Sequence, residues 1–402
     1  MDKNLIDIKE NYIFHLDNEL IAILLKDRSS KQNIIWATDN YSSRGCGYYS
    51  YDQITVQSVT GYNGSIIKPR TEKSQKEQAE RVRQKAEVIT PKNICDEMVA
   101  LVPDDGFTGA IENGHKVLDI AGKAGEFALA IYGRYVALGY GIEQIKDSIY
   151  TIPTSGLAYE FTRMIYEILG LNVANIAEKI NDYDLLKVKD GNDKIDYEKI
   201  FKILAQNKPF NEITINDEIA EGDEKVNFDV VVGNPLYQVS DGGAQASARP
   251  IYQNFVMASK TLSPFYVTIV MPSRWYAGGK GLDEFRTDML NDSHIAELHD
   301  FLHPEEVFPD TNNRGGVCYF LYNALYDNGQ NLVNVVTHNG NGKVYNARSS
   351  MKTGELDIFV RSSQAISINH TVLFLQSKFK KYLTLLKISL FNMSKRMLSF
   401  YC

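Results

Sequence analysis

Phe228-Asp229-Val230-Val231-Val232-Gly233-Asn234-Pro235-Leu236-Tyr237 joins a short apolar run to an Asn-Pro-x-Tyr turn. The run is β-branched, too short for a helix and closed by Gly233, so it reads as a central strand of a parallel sheet. The turn then falls at the strand's carboxyl end, where open α/β sheets place their ligands. An Asn amide oxygen, a backbone carbonyl at a rigid proline and an aromatic ring suit a flat, amine-bearing group. Read alone, the same four residues also make an ordinary turn with a rim tyrosine.

Two segments upstream sharpen the choice. Val117-Leu118-Asp119-Ile120-Ala121-Gly122-Lys123-Ala124-Gly125-Glu126-Phe127 is a strand that ends in an acid and opens through two glycines into a helix. Such a turn exposes bare backbone at a helix N-terminus and sets a carboxylate beside it. Earlier still, Thr90-Pro91 begins a helix with proline in its favoured first turn. Each of these is a common local pattern when taken singly.

The surrounding chain alternates strand and helix signals, the mark of a parallel sheet covered on both faces. Strands are expected near 116–120, 148–152, 212–215, 228–232, 266–271 and 317–322, and helices near 93–101, 127–138, 157–169, 251–261 and 282–290. Residues 1–85 read as a small α+β module with a charged helical connector over 71–87, residues 86–345 as the main α/β domain, and residues 346–402 as a basic tail. From Ile358 onward the tail has no acidic residue but carries Arg361, Lys378, Lys380, Lys381, Lys387, Lys395 and Arg396, and residues 372–390 suit one amphipathic helix.

With 402 residues, 44% hydrophobic and 23% charged, the chain has the composition of a globular protein, and general disorder is excluded. Its net charge of -7 argues against a broadly basic surface while allowing a local basic groove. The N-terminus has no signal-peptide pattern and no stretch reaches the length of a membrane span, so a cytoplasmic location and no membrane partner are expected. Cys46, Cys95, Cys318 and Cys402 form no CxxC pair and have no histidines at metal spacing, so no metal site is expected.

Taken in order, Thr90-Pro91, the Asp119 turn and the Asn234 turn resemble the gamma-class N6-adenine DNA methyltransferases of restriction-modification systems, in particular the type IIG-like methylases. The resemblance covers roughly residues 86–345. It implies a Rossmann-like class I methyltransferase fold, S-adenosyl-L-methionine as cofactor and DNA as substrate, with a restriction endonuclease or a separate specificity region as a further partner. Thr90, Pro91, Asp119, Gly122, Gly125 and Phe127 would correspond to cofactor-side positions, and Asp217 to an acid that bonds the cofactor's adenine amine. Asn234, Pro235 and Tyr237 match the catalytic NPPY motif, with Tyr237 and Phe308 facing the extruded base. Asp119, Asp217 and Asn234 are then expected together at the carboxyl ends of adjacent strands.

The chain departs from that pattern at three places. Lys123 replaces the first glycine of the cofactor loop, Leu236 replaces the second proline, and the acid expected near Ile152-Pro153-Thr154 is missing. Two alternatives stay open: a noncatalytic or truncated methylase remnant that binds DNA or a partner, and a protein glutamine methyltransferase, since the pocket also suits a side-chain amide. Without the resemblance, Asp217 reads as a helix N-cap and Phe308 as a core residue before Pro309.

Overall fold

The architecture is that of a computed structural model, which describes residues 90–361 except 155, 218–223, 240–248, 309–314, 327–331, 341 and 353–357. The expected N-terminal module and connector, and the tail helix over 372–390, lie outside the described residues. The helices are α1 (Lys92–Leu101), α2 (Asp104–Glu112), α3 (Glu126–Ala137), α4 (Ile142–Ile145), α5 (Gly156–Leu169), α6 (Asp182–Leu185), α7 (Tyr197–Leu204), α8 (Tyr252–Thr261) and α9 (Asp283–Asn291). The strands are β1 (Lys116–Gly122), β2 (Ile149–Pro153), β3 (Phe228–Gly233), β4 (Gln238–Val239), β5 (Arg249–Pro250), β6 (Tyr266–Pro272), β7 (Ile295–Phe301), β8 (Val317–Asn323), β9 (Leu332–His338) and β10 (Val344–Ser350).

Eight strands form one mixed sheet in the order β10-β9-β7-β8-β6-β3-β1-β2, a Rossmann-like α/β arrangement. β2, β1, β3 and β6 are mutually parallel, and β8 runs antiparallel to both β6 and β7. β3 is buried along its whole length because both faces of the sheet are covered. Val230 and Val232 pack in the cluster that contains Phe107 of α2 and Phe127 of α3, whereas Val231 packs in the one that contains Ile203 of α7 and Val256 of α8. Each of these valines contributes roughly 1.5–3 kcal/mol relative to an exposed side chain. No helix among the described residues is long and apolar enough to cross a membrane.

The five expected helices and five of the six expected strands are present. The exception is 212–215, where the chain forms a 3-10 turn (Phe210–Glu212) followed by a bend. Its hydrophobes are still used, since Phe210 packs edge-on against Tyr150 at 5.2 Å. The Asp217 carboxylate, however, accepts the Thr214 N–H at 2.6 Å, a donor that a strand ladder would need. Strand β7 was not expected, because Glu297, His299 and Asp300 interrupt its apolar pattern. The expected domain end at 345 falls inside β10, and Arg361 returns to pair with the buried Asp300 of β7.

Candidate active site

β1 and β3 are adjacent and parallel, with Asp119 opposite Val232, so the turns that leave them share one edge of the sheet. Here two glycines permit close approach. A Cβ on Gly122 would lie 2.4 Å from Thr151 Cγ2 and 2.8 Å from Asp119 Oδ2, and one on Gly233 would lie 2.9 Å from Ile120 Cγ2. Gly125, with φ 73°, supplies the left-handed cap from which α3 starts.

Asp119 is fully buried. Its Oδ1 accepts the Ala121 N–H at 3.1 Å, while Oδ2 has no hydrogen-bond partner among the described residues. Burial first, then the charge of Glu126, pushes the Asp119 carboxyl well above the usual carboxylate range, against the opposing effects of the Ala121 N–H and Lys123. Nearby at the end of β2, Thr154 donates its N–H to Gly122 O at 2.9 Å while its own buried hydroxyl has no partner among the described residues. These are buried polar atoms at the ends of neighbouring strands, an arrangement that favours a polar ligand.

Asn234 is 2% exposed and is oriented by Thr90, whose Oγ1 accepts its Nδ2–H at 3.1 Å. That contact identifies Oδ1 as the acceptor end of the amide. Thr90 is in turn held by Glu126, which accepts its N–H at 3.4 Å and that of Ala124 at 2.7 Å. Pro91 caps α1 directly behind. Thr90 thus touches the Asn234 side of the site as well as the loop after β1, a role that spacing alone did not reveal. Leu236 is buried against Ile251 and Phe255, which explains how a non-proline residue is accommodated after Pro235.

Tyr237 is half-buried, with its ring edge-on to Tyr252 at 6.4 Å and to Phe308 at 6.3 Å. Burial drives its hydroxyl pKa far upward, and that hydroxyl has no partner among the described residues. Phe308 is 1% exposed and backs the tyrosine from within the core, so its face is not open to a base in this conformation. Phe127 likewise lies wholly in the core beneath the loop.

Among the described residues, Asp217 makes no hydrogen bond or ion pair to Asp119 or Asn234. It lies on a turn rather than at a strand's end, and its carboxylate pairs with Lys208 and the Thr214 N–H, which hold its pKa low against the opposing effect of desolvation. Two other residues, Glu126 and Asp182, were not singled out, and Lys123 was read only as a departure from the loop pattern. Lys123 reaches across from its loop to donate to the Asn234 backbone oxygen. Glu126 is 2% exposed at the start of α3, in a position that a negative charge at a helix N-terminus favours. Asp182 is completely buried and close enough for its charge to raise the Asp119 pKa. The Asn181-x-x-Asp184 capping box marks the turn that carries Asp182, but nothing local shows that its carboxylate points inward.

Residues 147–308 match the family model described as Eco57I restriction-modification methylase. The chain is 32% identical over 110 residues to an uncharacterized adenine-specific methylase of Mycoplasma pneumoniae, an alignment covering 27% of this chain and 26% of that protein. The match therefore spans a minor part of the relative's length. Solved structures with a related backbone course include a modification subunit of a putative type I restriction enzyme from Vibrio vulnificus, at 12% identity and TM-score 0.45, covering 85% of this chain and 78% of that one. Another is a type I restriction-modification methyltransferase subunit from Streptococcus thermophilus, at 15% identity and TM-score 0.40, covering 71% and 52%.

Proposed function

We propose that this chain, which carries an Eco57I-type restriction-modification methylase segment over residues 147–308, is a DNA N6-adenine methyltransferase that uses S-adenosyl-L-methionine. The observation that carries the reading is the Asn234 amide, held by Thr90 at the end of β3 beside the acid-bearing loop of β1. Asp119 Oδ2 and Thr154 Oγ1, both buried without partners among the described residues, suit a ligand that brings a cation and hydroxyls. The backbone bared at Gly122 and the unbonded Oδ2 of Asp119 fit the cofactor; Lys123, whose ammonium bonds the Asn234 backbone oxygen, brings a positive charge that opposes it.

S-adenosylmethionine supplies a methyl group already activated on a sulfonium. The protein's task is then positioning and electrostatics. Adenine's exocyclic amine is a weak nucleophile because its lone pair is delocalised into the ring. Asn234 Oδ1 and the Pro235 carbonyl, accepting its two N–H bonds, favour a pyramidal nitrogen whose lone pair can attack. The half-buried Tyr237 is the stacking plane for the extruded base, and Phe308 supports it from behind. Stacking recovers roughly 1–3 kcal/mol per base against an extrusion cost of a few kcal/mol. Asp119 and Asp182 are the acids on the cofactor side; Asp217 is left in a peripheral role at most.

The catalytic domain on this reading begins near residue 86 and includes β10 and the Arg361 contact. It acts in the cytoplasm with a specificity region and an endonuclease as partners. The test is transfer of labelled methyl from S-adenosylmethionine to adenine-containing duplex DNA, with a specificity region supplied separately, followed by detection of N6-methyladenine. Cofactor binding without methylation of any DNA would favour the noncatalytic reading, which Lys123 and the missing acid at Pro153-Thr154 support. Methylation of a glutamine-containing peptide instead would favour the protein-directed one.

A further inference from the structure

Lys123 is 4% exposed, and its ammonium donates to the backbone oxygen of Asn234 across 111 positions of sequence. Its charge is felt by Asp119, whose pKa it lowers, and by the Cys95 thiol of α1. The ammonium therefore lies between the ends of β1 and β3. The oxygen it bonds is one peptide unit from the Pro235 carbonyl and belongs to the same residue as the Asn234 amide, the two acceptors assigned above to the reacting amine. The Lys123 charge thus sits beside the residue that carries the amide acceptor.

We infer that Lys123 is a specificity-determining residue of the cofactor site: its buried ammonium disfavours a ligand bearing a sulfonium and favours the neutral thioether of the same adenosyl skeleton. The inference rests on the cofactor reading above. Two positive charges brought together at a site removed from water repel far more strongly than in bulk solvent. The repulsion falls only on the charged ligand, because the adenosine and amino-acid parts of S-adenosylmethionine and S-adenosylhomocysteine are the same. The hydrogen bond to Asn234 also fixes where the charge sits, since moving it aside would give up that contact.

The measurement is the ratio of dissociation constants for S-adenosylmethionine and S-adenosylhomocysteine, obtained by calorimetry on the full chain. Lys123→Met keeps an apolar stem of similar length without the charge, Lys123→Gly restores the residue of the resembled loop, and Lys123→Arg keeps the charge. The ratio is expected to fall by about tenfold or more, in favour of the sulfonium, in the Met and Gly variants, and to stay within about threefold of wild type in the Arg variant. A general loosening of the site would weaken both ligands together and leave the ratio alone. Binding of both ligands with an unchanged ratio in Lys123→Met and Lys123→Gly overturns the inference while sparing the cofactor reading. Binding of neither ligand to any cooperatively melting form overturns both.

Discussion

The two halves of the sheet bury charge in opposite ways. Around β7 and β8, Asp300 is fully buried and fully engaged: Arg361 bonds both its oxygens, with Nη2 and Nε at 2.6 Å, and Ser273 and Tyr276 add hydroxyl donors at 3.1 Å. Beside it, Tyr319 donates to Glu97 at 2.8 Å and lies 3.0 Å from His299. Around β1 and β2, Asp119 is equally buried but has one bare oxygen, with the unpartnered Thr154 hydroxyl nearby. A polar group sealed from water without a bond costs free energy, so the first arrangement is complete within the fold, while the second is the one the proposed function assigns to a ligand.

The strongest attack on that contrast is Arg361→Met. It leaves the Asp300 charge buried with only neutral donors, and a loss of about 3 kcal/mol or more is expected in denaturant unfolding. Adding Asp300→Asn should recover part of it. If Arg361→Met proved neutral, Asp300 would not be an engaged structural charge.

At the other end, Asn234→Ala is expected to lower methyl transfer to DNA by about 100-fold or more, with cofactor affinity nearly unchanged and little change in stability. Single-turnover kinetics beside calorimetry separate the two. Full activity in the variant would remove Asn234 from the chemistry.

Asp119→Asn should do the reverse of Arg361→Met. Because the folded-state pKa of Asp119 lies above its ordinary value of 3.8, ionisation opposes folding, and the penalty grows as pH rises past that value. The ligand-free variant is expected to be more stable than wild type near neutral pH, with the gap closing toward pH 4, while cofactor binding weakens. A destabilised variant would mean that Asp119 is satisfied in a way this geometry does not contain.

The smallest effect concerns His338, whose pKa is lowered from 6.5 to about 4 by burial and then by the charge of His299. With the folded value below the unfolded one, the neutral ring stabilises above pH 6.5, and that stability is lost as pH falls toward 4. Half-exposure limits the effect to about 1 kcal/mol. His338→Asn should flatten the acid limb of the stability profile; an unaltered limb would assign it to other groups.

Much of the half around β1 and β3 was legible in the residues alone, because its signals are local. β-Branched runs closed by glycine mark β1 and β3, and the turns after them need no distant partner to be recognised. The paired half was largely illegible for the converse reason. Glu297, His299 and Asp300 argue against a strand until Asn334, Tyr319 and Arg361 arrive from 20 to 61 positions away to satisfy them. Asp217 shows the same limit within the site: its type and spacing suited a ligand, yet Lys208 and Thr214 take up its carboxylate, while the buried Asp182 faces Asp119's field.

The sequence by itself determined the α/β alternation, the strand-to-turn positions of Asp119 and Asn234, and the substitution of lysine for glycine at 123, since period, branching and turn chemistry act over a few residues. Only the tertiary structure decided that Thr90 orients Asn234, that the Lys123 ammonium reaches the Asn234 carbonyl, that Phe308 sits behind Tyr237, and which buried acids are engaged. Those outcomes depend on contacts between segments far apart in the chain, where burial makes each missing or completed hydrogen bond count.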